Sequence, residues 1–136
     1  MDDVPQNWIL TTTLDAERNK TVRVLRQYVN KVRGNARQKQ VAQQLFQSLY
    51  DYHVVDDASK LRPGSVVRWL FKDVRKGLSN CAIFCHMAET TMVCKLIRVP
   101  RFFHVTTDTC FIIFQKFSAD QQLVMETIQA LQQTNA

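Results

Sequence analysis

The spacing of apolar residues changes period at Pro63-Gly64, and this limits the fold more than any other feature of the chain. Before that point Val22, Leu25, Val29 and Val32 recur at intervals of three and four, and Val41, Leu45 and Leu49 at intervals of four. Both patterns place apolar groups on one stripe of a helix. After it, Val67, Trp69 and Phe71 alternate with Val66, Arg68 and Leu70, the period of two that a strand imposes. Apolar residues stand on both faces of that strand, so it is expected to be covered on both sides. Helices followed by strands predict an α+β fold.

Taken in order, the chain reads as one domain, 1–136, made of a helical hairpin over 13–50, a β unit over 61–117 and a C-terminal helix over 118–134. Residues 1–12 read as a peripheral lead-in, from which Trp8, Ile9 and Leu10 would dock on the body. The first helix is expected to start near Thr13, with Glu17 suiting the positive end of its dipole. Gly34 fits the position just past its end. Asn35 would then cap a second helix over 36–50, with Phe46 broadening the buried stripe. Residues 51–60, with Asp51, Asp56, Asp57 and Ser59, read as a polar connector. The β unit that follows predicts an antiparallel sheet of four to five strands, or a small barrel, with turns at 73–77, at Glu89-Thr90 and at Thr107-Asp108. Ser118 with Gln121 forms a capping box for the last helix, which is expected to bury Val124, Ile128 and Leu131.

Composition excludes several classes. A chain of 136 residues with 46% hydrophobic and 22% charged content can build one packed core and is not patterned for disorder. Its apolar runs fall short of the roughly 18 residues of a membrane span. Residues 1–5 contain no apolar signal segment, so the expected location is intracellular, in cytoplasm or nucleus. In such a reducing compartment Cys81, Cys85, Cys94 and Cys110 are expected to be free thiols. Three glycines are too few, and too scattered, for a glycine-rich phosphate loop.

The clearest electrostatic feature is the segment 18–39, which holds eight of the 18 basic residues and no acid. On a helix Lys20, Arg23, Arg26, Lys31 and Arg33 fall on the side away from the apolar stripe, with Arg37 just beyond. Such a face could follow a phosphate backbone; it could equally be solvated or meet an acidic protein. Tyr28 is the only aromatic residue among these cations and lies near the apolar stripe, so base stacking is not indicated. Arg68, Lys72, Arg75 and Lys76 would extend one positive surface if their end of the β unit faces the helix, and the same holds for Lys95, Arg98 and Arg101.

Cysteine chemistry is less well supported. On a strand, Cys81 and Cys85 would stand ~13 Å apart, too far for zinc–sulfur bonds of ~2.3 Å. Neither a metal site nor a cofactor is expected. Cys94 or Cys110 could meet His104 across a sheet, which leaves a small thiol-dependent enzyme as a possibility, although no local pattern selects it.

The run Asp57-Ala58-Ser59-Lys60-Leu61-Arg62-Pro63-Gly64-Ser65-Val66-Val67-Arg68-Trp69-Leu70, followed later by Phe114-Gln115-Lys116-Phe117-Ser118-Ala119-Asp120-Gln121, resembles a layout found in short proteins of large eukaryotic DNA viruses. The resemblance covers the C-terminal part of the chain and implies a fold and a setting, a small virion component, without implying site residues. The leading expectation is therefore a non-catalytic interaction or assembly protein, with a protein partner or a second copy of itself. A nucleic-acid-binding module using the basic helix is the alternative.

Overall fold

A computed structural model describes residues 3–134, apart from the side chains of residues 3–15, 125, 128, 129 and 132–134. Helix α1 (Asp3–Val29) starts well before Thr13 and takes in most of the expected lead-in. Trp8, Ile9 and Leu10 fall within it, but their side chains, and any docking by them, lie outside the described residues. Thr21, Leu25, Tyr28 and Val29 form the buried stripe of α1, with Val24 beside it. Helix α2 (Asn35–Ser48) packs on it and buries Leu45; Leu49, just past its end, is also buried. Gly34, at φ 92°, is the N-cap of α2 rather than the end of α1. Gln38 stitches the hairpin: its backbone N–H donates to the Gly34 carbonyl at 2.9 Å and its Nε2 to the Val32 carbonyl at 2.7 Å. Phe46 does not broaden the stripe; it is 42% exposed.

Six strands follow, β1 (Tyr52–Val55), β2 (Val66–Phe71), β3 (Ala82–Ala88), β4 (Thr91–Leu96), β5 (Phe102–Thr106) and β6 (Cys110–Lys116). They form one antiparallel sheet in the order β1-β6-β2-β3-β4-β5. The strand beyond the expected four or five is β1, inside the stretch read as a connector. Tyr52-His53-Val54-Val55 is a short aromatic and β-branched run that suits a strand, and it pairs with β6 from Tyr52↔Lys116 to Val55↔Ile113.

The sheet is open, not a barrel, because β1 and β5 end the ladder. One face carries Tyr52, Val54, Leu70 and Phe114 and is covered by α1 and α2. On the other face Val55, Val67, Trp69, Phe84, Met92, Val105 and Ile113 form a second buried cluster, which among the described residues includes none from the α-helices. Leu61 and Ala58 from the β1–β2 connection pack against this cluster, and the coil of a sheet this wide bends it. A β-bulge between Phe84 and His86 adds to the bend. It also resets the alternation: Ala82 and Phe84 point into this core, and after the bulge it is Met87, not His86, that packs there.

Two turns carry positive φ for different reasons. Gly64 adopts φ 86° after Pro63, with the Ser65 N–H donating to the Arg62 carbonyl at 3.1 Å. This is the proline-then-glycine pattern of a type II turn. Glu89, in the two-residue loop of the β3–β4 hairpin, adopts φ 58° without being glycine. An L-residue in that region costs about 1–2 kcal/mol. Glu89→Gly is therefore expected to raise stability by about 0.5–1 kcal/mol, after the added flexibility of the unfolded chain is subtracted, as measured by urea denaturation.

Helix α3 (Ala119–Thr134) opens with the expected capping box: the Ser118 N–H donates to Gln121 Oε1 at 2.9 Å and the Gln121 N–H to Ser118 Oγ at 3.2 Å. The helix packs against α1, and none of its described residues joins either buried cluster. Val124 is half-buried and Leu131 is 58% exposed, so the expected core stripe is not formed as such; the Ile128 side chain lies outside the described residues. No described helix is long and apolar enough to cross a membrane.

Candidate nucleic-acid interface

The α1–α2 turn and the β2–β3 loop face each other across a groove of ≈ 670 Å³. Sheet order explains the meeting. Strand β2 lies inside the sheet, and its Val66, Arg68 and Leu70 point to the helix-covered face, so Arg68 emerges at the rim beneath the hairpin. The loop after β2 is fixed by the Tyr28 hydroxyl, which donates to the Val74 carbonyl at 3.4 Å. The floor is apolar, with Val41, Leu45, Val74 and Leu78.

Lys31, Arg33, Arg37, Arg68 and Arg75 line this groove, and among the described residues no acid does. Lys31 Nζ sits 4.3 Å from the centre of the Phe111 ring, a cation–π contact that holds the charge in place. Arg68 is held by its Nε, which donates to the Ser79 carbonyl at 3.0 Å. Arg75 donates twice to Asp73, at 3.1 Å to each carboxylate oxygen. These bonds hold the Asp73 carboxyl below the ordinary carboxylate range. Arg33 and Arg37 are exposed and free to reach a ligand.

The structure thus divides the predicted basic set. Lys31, Arg33 and Arg37 converge on the groove. Arg23 and Arg26 are exposed on the outer side of α1 and do not line it. Lys20 forms an ion pair with Asp56, as Arg75 does with Asp73, but does not line the groove. Of the basic residues in the β unit, Arg68 and Arg75 join the groove, whereas Lys95, Arg98 and Arg101 belong to the far end of the sheet.

Thiol chemistry finds no support in the geometry. Cys94 is fully buried, and burial pushes its thiol up to about 11, away from the thiolate a nucleophile needs. Burial raises Cys110 too. His104 pairs with Val93, the neighbour of Cys94, so it stands on the opposite face of the sheet from that thiol. Among the described residues no three His, Cys, Asp or Glu side chains gather as a metal-holding group.

His53 stacks on Phe117 at 5.2 Å between ring centres and lies 3.8 Å from Glu17 Oε2. Burial, the largest influence, lowers its pKa; Glu17 opposes this, but at a distance too long for a hydrogen bond. The folded protein therefore favours neutral His53, while the unfolded chain takes up the proton near pH ~6.5. Stability is expected to be fully present above that pH and to fall as pH drops through it. Urea midpoints at neutral and mildly acid pH should show the step, and His53→Gln should flatten it.

No protein-family model, curated protein or solved structure matches this chain.

Proposed function

We propose that this is a non-catalytic interaction protein that binds nucleic acid through the groove between the α1–α2 turn and the β2–β3 loop. The observation that carries the reading is the convergence of five basic side chains, from both halves of the fold, on a groove lined by no acid among the described residues. A net charge of +6 adds a favourable long-range field. Contacts of this kind neutralise phosphates and release counterions, and they are indifferent to sequence. Tyr28, the groove's only aromatic residue among those described, is buried and hydrogen-bonded, so it offers no stacking platform and the contact is with the backbone of the nucleic acid rather than its bases. Such binding suits an assembly role beside packaged nucleic acid, the setting that the resemblance to short viral proteins implies.

Fluorescence anisotropy with a labelled oligonucleotide tests the reading. Affinity should fall steeply with salt, with a log–log slope of about −0.9 per phosphate engaged, and scrambled sequences should bind equally well. Absence of binding at ~50 mM salt, or binding indifferent to salt, would exclude it.

A further inference from the structure

The strand that ends the ladder leaves a row of backbone groups unpaired. The Arg101 carbonyl accepts from the Leu96 N–H at 3.0 Å, and the Thr107 N–H donates to the Thr90 carbonyl at 2.9 Å. In an antiparallel ladder the N–H and C=O of one residue point the same way, and alternate residues point oppositely. Arg101, Phe103, Val105 and Thr107 therefore bond toward β4, while Phe102, His104 and Thr106 turn their backbone groups outward. Among the described residues no strand lies beyond β5. Such an edge is a template for another strand, and here it is flanked by exposed Ile97, Val99 and Phe102, the last of them 61% exposed.

We propose that β5 pairs with β5 of a second copy of this chain, antiparallel about a two-fold axis at His104, giving one sheet that runs through both subunits. Hydrogen-bond parity confines the ladder to outward-facing residues. Of the registers it allows, only an axis at His104 pairs all three of them within β5: an axis at Phe103 sets Thr106 opposite Pro100, and one at Val105 sets Phe102 opposite Asp108 in the turn. The axis at His104 sets that residue opposite itself, and Phe102 opposite Thr106 of the copy, so only outward-facing residues meet. An axis at Phe102 would put His104 opposite Pro100, which has no N–H. An axis at Thr106 would run the pairing into the 3₁₀ turn Thr107–Thr109.

Charge agrees with the same register. Arg101 of one copy comes opposite Thr107 of the other, next to exposed Asp108, and symmetry forms this pair twice. The core agrees as well. Phe103 and Val105 both pack with the second buried cluster, and each would face the other across the axis, so apolar packing continues from one subunit into the next. The edge is thus complementary to itself, which singles out a second copy over an unrelated strand. None of these residues lines the cationic groove, so the proposal stands independently of the nucleic-acid reading.

Sedimentation equilibrium of the full chain at loadings up to ~0.1 mM is the test, and a dimer is the expected result. His104→Pro deletes an N–H that bonds nothing within the subunit, so β4–β5 pairing survives while the dimer weakens by about tenfold or more. Arg101→Asp or Asp108→Arg alone should shift the protein toward monomer, and the two together should restore the dimer, a rescue that misfolding cannot produce. Circular dichroism checks that each variant is folded. A wild-type monomer across that range overturns the proposal, as does a dimer untouched by folded His104→Pro or a double reversal that fails to rescue.

Discussion

Replacing Lys31, Arg33, Arg37 and Arg75 together with Gln is expected to weaken nucleic-acid binding by roughly 100-fold or more near physiological salt, and to flatten the log–log salt slope by about 3–4. The slope is the sharper readout, because it counts phosphates engaged rather than overall affinity. Arg68 is left out on purpose: its Nε donates to the Ser79 carbonyl, so removing it would disturb the β2–β3 connection as well as the charge. The matched control is Arg23→Gln with Arg26→Gln. It removes charge from the neighbouring helix α1, outside the groove, and should cost less than about threefold, the residue of a weaker long-range field. A control loss half as large on a logarithmic scale, in proportion to two charges removed against four, would show that only net charge matters and that the groove has no special part in binding.

Each half of that groove was legible in the sequence, but their meeting was not. The basic run 18–39 and the cluster Arg68, Lys72, Arg75 and Lys76 both stand out in the residues. Which of the two basic ends of the β unit lies under the helices depends on strand order. Periodicity assigns a residue to a face, not a strand to a position in a sheet. With β2 internal and β5 terminal, Arg68 and Arg75 join Lys31, whereas Arg98 and Arg101 stand at the other end. Helical phase was read correctly for Leu25, Val29, Leu45 and Leu49, which are buried, and the Ser118–Gln121 box formed as expected.

The misses have local causes. Strand β1 has four residues, too few to display a period, and flanking aspartates masked its Tyr52-His53-Val54-Val55 run. The bulge after Phe84 has no compositional signature, yet it turns Met87 to the face opposite the one strict alternation assigns. For α3, amphipathic spacing picked out Val124, Ile128 and Leu131 as a buried stripe, but spacing cannot say whether a core is there to receive it, and Leu131 is exposed. Among the described residues, none of α3 joins the buried cluster on either face of the sheet.

Gln115→Leu is expected to destabilise the fold by about 2–3 kcal/mol, a large effect for a change that adds apolar volume to a buried site. Gln115 is 3% exposed and stands on β6 between Val67 of β2 and His53 of β1. Its Oε1 accepts from the Arg62 N–H at 2.7 Å and from the Ser65 hydroxyl at 2.8 Å, and its Nε2 lies 3.4 Å from His53 Nε2. One carboxamide therefore ties the Pro63-Gly64 turn and the first strand to the penultimate segment of the chain. Leucine would bury as well but accept nothing. The Ser65 hydroxyl could fall back on the Arg62 carbonyl, 2.6 Å away; the Arg62 N–H has no such alternative and would be stranded in a partly buried site. Equilibrium urea denaturation measures the loss. Ser65→Ala provides the contrast: it removes a donor that has two acceptors and leaves Gln115 serving Arg62, so it should cost no more than about 1 kcal/mol. If both variants lose the same small amount, the turn is held by its own backbone and β6 contributes only its ladder. A large loss confined to Gln115→Leu would place the registration of the whole β unit on this one side chain, at the same Pro63-Gly64 turn where the apolar period changes from helix to strand.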